Sequence, residues 1–112
     1  DIMAITATVD LGNGVSKASC YIIVPTAYVK KFAPEDDSES ATFKLIYDVH
    51  IYQNKSDRDS YYRKSKQISC RSVDHFKINY DTSASDNPFV LAYTHLKTDE
   101  DIGNVLSSIA DA

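Results

Sequence analysis

The side chains able to do chemistry are few and widely spaced in this chain. Its three histidines, His50, His75 and His95, fall in two strand-like runs and one helix-like run. None has the HxH or HExxH spacing that would put two imidazoles on one metal. They read as surface or partly buried imidazoles held by local hydrogen bonds. The two cysteines, Cys20 and Cys70, show no CxxC or zinc spacing, and each sits in a strand-like segment. They are expected to be reduced thiols that pack as small apolar side chains. Either could pair in space with a histidine as a nucleophile, but no local signature does so.

Acidic groups give equally little. Asp57-Arg58-Asp59-Ser60 has the opening alternation of a calcium loop, yet the turn glycine and the closing glutamate are missing. Glu35, Asp36, Asp37 and Glu39 could hold a hard cation, but such a run on a loop reads as solvated. Gly12-Asn13-Gly14 lies between two strands and is a hairpin turn, not a phosphate loop. Asn54-Lys55-Ser56 is a formal glycosylation sequon, relevant only to a secreted eukaryotic chain. The expectation is no catalytic residue, no metal site and no cofactor.

The elements that would position these groups are mostly strands. Met3, Ile5, Ala7 and Val9 alternate with Thr6 and Thr8, and Val15–Val24 is rich in β-branched residues and stops at Pro25. Together they predict an N-terminal hairpin. Tyr28, Val29 and Phe32 predict a short strand or turn that plugs the core, and residues 33–40 an exposed acidic loop. From Thr42 to Tyr52, Phe43, Leu45, Tyr47, Val49 and Ile51 face one way, while Lys44, Asp48 and His50 face the other. That is a central strand with one wet face. A polar turn over 53–60, a polar edge strand over 61–69 and an alternating strand over 75–80 follow.

Ser85-Asp86-Asn87-Pro88 combines a cap with a first-turn proline, and Phe89, Ala92, Tyr93 and Leu96 then fall at helical spacing. Thr98-Asp99-Glu100-Asp101 repeats the start signal. Ile102, Val105, Leu106 and Ile109 predict a second short helix to the end. The fold class expected is mainly β: a small antiparallel β-sandwich or rolled sheet with one or two short C-terminal helices.

Composition sets the frame. The chain has 112 residues, 43% hydrophobic and 25% charged, with no Trp and eight Tyr. That fits one single domain able to bury a core without disulfides or metals, and is too short for a barrel enzyme. Asp1-Ile2 before Met3 reads as a two-residue extension of a native start. No run of about 18 apolar residues occurs, so no membrane contact is expected. Residues 1–53 carry seven acidic and four basic groups, 54–80 three and seven, and 81–112 six and one. Positive charge therefore gathers in 54–80, where Lys55, Arg58, Arg63, Lys64, Lys66, Arg71 and Lys77 surround Tyr61 and Tyr62. The net charge of −4 opposes phosphate binding, so nucleic acid is not an expected partner. A basic hairpin guarded against aggregation is one reading, and docking of that hairpin on an acidic segment of a neighbouring copy is another.

Three segments carry a resemblance: Met3-Ala4-Ile5-Thr6-Ala7-Thr8-Val9 into Gly12-Asn13-Gly14-Val15, then Val49-His50-Ile51-Tyr52-Gln53-Asn54-Lys55-Ser56-Asp57-Arg58-Asp59, then Asn79-Tyr80-Asp81 with Asn87-Pro88-Phe89-Val90-Leu91-Ala92-Tyr93-Thr94-His95-Leu96-Lys97-Thr98. The set resembles small β-rich structural proteins of tailed bacteriophages and prophages, and it covers most of the chain. The resemblance implies a noncatalytic structural or adaptor subunit of the virion, in tail, baseplate, neck or capsid, made in the cytoplasm of the host bacterium. It implies other virion proteins as partners and a homo-oligomer. Within it, Tyr61, Tyr62 and Arg63 are the interface residues expected, because adjoining Tyr and Arg are enriched at hot spots. Two other classes stay open. One is a ligand- or carbohydrate-binding module on a host surface, with a concave site lined by several of Tyr47, Tyr52, Tyr61, Tyr62 and Tyr80. The other is a small enzyme whose site forms only in three dimensions.

Overall fold

The computed structural model describes residues 4–36, 40–59, 67–70 and 73–112. Among the described residues five antiparallel strands form one open sheet, β1 (Ile5–Gly12), β2 (Val15–Phe32), β3 (Thr42–Tyr52), β4 (His75–Asn79) and β5 (Leu106–Asp111), in the order β4-β3-β2-β1-β5. The helices among the described residues are α1 (Lys55–Asp59) and α2 (Pro88–Thr98), with a 3₁₀ turn at Ile102–Asn104. The sheet is not closed into a barrel.

Alternation decides its faces. Ile5, Ala7, Val9, Cys20, Ile22, Val24, Leu45, Tyr47, Val49 and Ile51 point to one side and are buried. On that inner face α2 lays Ala92, Tyr93 and Leu96 against them. Each fully buried aliphatic chain contributes about 1.5–3 kcal/mol, and this layer is the core. Phe76 and Ile78 of β4 close its margin, half-buried.

The first hairpin forms as expected, with Gly12, Asn13 and Gly14 at φ of 91°, 55° and 78°, a left-handed run that glycine and asparagine accept. Pro25, however, does not end β2. The strand continues to Phe32 because Pro25 falls in a bulge, where the register with β3 shifts between Ile23 and Thr26. The bulge leaves the amide of Val24 without a ladder partner, and that N–H donates to the Tyr93 hydroxyl at 2.9 Å. Tyr28, Val29 and Phe32 are thus the far half of β2 and not a separate plug. The ladders of β1 shift as well, between Ala7 and Val9 opposite Ser19 (φ 58°) of β2, between Asp10 and Gly12, and between Thr6 and Thr8 opposite Ser108 (φ 51°) of β5.

The last segment also differs from its sequence pattern. Asp99 stops α2 and accepts the amides of Asp101 and Ile102 at 2.9 and 3.2 Å, so it starts only the 3₁₀ turn. Leu106–Asp111 then joins β1 as an edge strand. The helical spacing of Ile102, Val105, Leu106 and Ile109 is overruled because β1 has an edge to fill, and Ile102 and Leu106 still reach the core. Residues 55–59 are helical where a turn was expected. Of the expected 61–69 strand, the described part is a single bridge from Gln67 to Tyr52.

Candidate functional site

Titratable groups converge at one place on the inner face. Tyr47 of β3 and His95 of α2 approach to 2.5 Å between the hydroxyl and Nδ1, and His95 Nε2 lies 3.2 Å from an Asp99 carboxylate oxygen. A neutral imidazole satisfies all three groups: the Tyr47 hydroxyl donates to Nδ1, and Nε2–H donates to Asp99. Phe76 stacks on Tyr47 with ring centres 5.1 Å apart and meets His95 edge-on at 5.4 Å. Hydroxyl, imidazole and carboxylate stand in the order of a hydrolytic triad, with tyrosine in place of serine. Tyr47, however, is 0% exposed, and burial, reinforced by the Asp99 charge, holds its hydroxyl well above the ordinary tyrosine value. A nucleophile needs access and a lowered proton affinity. The chain of three instead braces α2 against the sheet.

The other candidates separate. His75 pairs with Asp48 on the exposed side at 2.5 Å, and His50 meets the edge of the Tyr52 ring. Cys20 is fully buried with its pKa raised by burial, and Cys70 is half-buried; both are free thiols. Asp57, Arg58 and Asp59 lie in α1, whose first turn is capped by the Asn54 side chain accepting from Asp57 N–H, so they form no calcium loop. Among the described residues no three His, Cys, Asp or Glu side chains gather as a metal site. Tyr47 and Tyr52 are buried and cannot line a concave sugar site. Tyr61, Tyr62 and Arg63 lie outside the described residues, as do Arg71, Lys64 and Lys66.

The outer face of the sheet carries a different constellation. Where β2, β3 and β4 run together, Lys30 stands directly opposite Lys44, Lys44 opposite Asn79, and Lys77 opposite Ile46. Tyr28 faces Ile46 from the other side and is 47% exposed. The ammonium groups of Lys30 and Lys77 lie 5.2 and 4.6 Å from the centre of the Phe32 ring, and Lys44 donates to Asn79 at 2.5 Å. No carboxylate among the described residues pairs with Lys30, Lys44 or Lys77. Like charges directly across a ladder repel, so the sheet holds this group at a cost that an anionic partner would relieve.

At the opposite end of β2, on the same face, Thr8, Asp10, Val15, Ser16, Asn104 and Ser107 line an open recess of about 330 Å³. Asp10 is exposed and accepts the Gly12 amide at 2.9 Å. Glu100 and Asp101 are exposed in the turn that leads to the recess.

Sequence reading missed both ends for one reason. Lys30 and Lys44 belong to an acidic stretch of chain, and only the strand register brings them beside Lys77. The Tyr47–His95–Asp99 brace had one local signal, the i, i+4 spacing of His95 and Asp99 on a helix. No family model, curated protein or solved structure matches this chain.

Proposed function

We propose that this chain is a noncatalytic structural or adaptor subunit of a tailed-phage particle, acting through protein–protein contacts. The observation that carries the contact role is the outer face of β2, β3 and β4: Lys30, Lys44 and Lys77, which meet no carboxylate among the described residues, around Tyr28 and Phe32. Exposed aromatic rings supply buried area at a contact surface, and the charges around them select the partner. Leu11 and Val15 add 41% and 55% exposed apolar side chains at the first hairpin tip, and Phe89 another at the start of α2.

The phage assignment rests on the three resembling segments. They form the first hairpin, the end of β3 with α1, and the capped helix α2 with the chain leading to it. Mass spectrometry of purified particles tests the assignment: the chain should be present in multiple copies per particle. Its presence in infected cells but absence from finished particles would refute a virion role.

A further inference from the structure

We infer that the outer face is a docking surface for a second copy of this chain, related by a two-fold axis that lies between the two sheets, parallel to them and roughly perpendicular to β2. The inference rests on the contact role proposed above and names the partner. A face that meets its own copy about a two-fold must be self-complementary: whatever lies at one end must suit what lies at the other.

This face meets that condition along β2. The strand has 18 residues and the molecule is 49 Å long, so the two ends of β2 are far apart. One end holds Lys30, Lys44 and Lys77 with no carboxylate partner among the described residues. The other holds Asp10, exposed in a recess that Thr8, Ser16 and Ser107 also line. Between them β2 presents Tyr21, Ile23 and Tyr28 on that face. Turned over onto a second copy, the lysine end of each sheet lies on the acidic end of the other. The apolar middle then meets itself, and two sheets stack into a sandwich whose halves come from two chains.

An acidic surface of the same chain is favoured over nucleic acid. The net charge of −4 repels a phosphate backbone, whereas the second copy brings the matching recess at the right place on the same face.

Two variants test the pairing. Lys30→Glu/Lys77→Glu reverses one end. Asp10→Asn/Ser16→Lys reverses the other, and Asn keeps an oxygen for the Gly12 amide. Far-UV circular dichroism and thermal melts establish that both fold. Sedimentation velocity at low salt should show wild type as a dimer and each variant alone as a monomer, with at least about a tenfold weaker association. An equimolar mixture of the two should dimerise again, because both contacts then join opposite charges.

A wild-type dimer indifferent to both variants overturns this surface and leaves a self-associating subunit standing. Higher, open-ended species in the mixture overturn the two-fold. A monomeric wild type that binds a fluorescent oligo-dT, and loses it with Lys30→Glu/Lys77→Glu, overturns the second copy in favour of nucleic acid. Virion incorporation is read separately from particles, so failure here and failure of the phage assignment are distinguishable.

Discussion

Tyr93→Phe removes one oxygen and tests how the long strand β2 survives its proline. Pro25 breaks the ladder, and the stranded Val24 N–H is taken up by the Tyr93 hydroxyl at 2.9 Å. Val24 is 5% exposed, so water does not readily replace that acceptor. The phenyl ring keeps the packing of α2, and the loss is the cost of an unsatisfied buried amide, about 1–3 kcal/mol. With a urea m value of about 1–1.5 kcal/mol/M, the unfolding midpoint should fall by roughly 0.7–3 M at unchanged m. Hydrogen exchange should locate the effect, with the Val24 amide protected in the wild type and fast in the variant. Tyr28→Phe, at an exposed site, serves as the control and should stay within about 0.5 kcal/mol. If Tyr93→Phe also stays within about 0.5 kcal/mol, the hydroxyl is not what secures the bulge.

Burial holds the Tyr47 hydroxyl protonated in the folded chain, whereas an unfolded tyrosine titrates near pH 10. The unfolded state therefore binds fewer protons above that pH, and stability should fall as pH rises past about 10. Tyr47→Phe should flatten the alkaline slope measured by urea unfolding, and an unaltered slope would count against the buried assignment. Cys20 is fully buried and Cys70 half-buried, so Ellman's reagent should label one thiol promptly in the native protein and both in urea. Two prompt thiols would contradict the burial of Cys20. Asn87→Ala removes the acceptor for Val90 N–H and should cost about 0.5–2 kcal/mol by thermal melting. No change would show that Pro88 alone starts α2.

Period and punctuation made much of the sheet legible. The alternation over Thr42–Tyr52, the Gly12-Asn13-Gly14 turn and the Asn87-Pro88 start all act locally, and local signals survive folding. What failed depended on neighbours. Pro25 breaks a strand unless a bulge and a distant hydroxyl absorb it, and Tyr93 lies 69 residues away. The spacing of Ile102, Val105, Leu106 and Ile109 fits a helix, but an open edge on β1 recruits Leu106–Asp111 as a strand. Charge blocks along the chain pointed to residues 54–80, whereas the lysine group on the sheet takes one member from each of three strands. Block counting cannot see such a patch, because the register that builds it is a tertiary fact.

The mass of the wild-type chain in solution tests the contact role most directly. Light scattering on a sizing column at roughly 50 mM salt should give twice the 12.5 kDa of one chain, and at roughly 500 mM the mass should move toward 12.5 kDa as the charged ends are screened. A mass of 12.5 kDa at both salt concentrations, with the protein loaded well above micromolar, would contradict it.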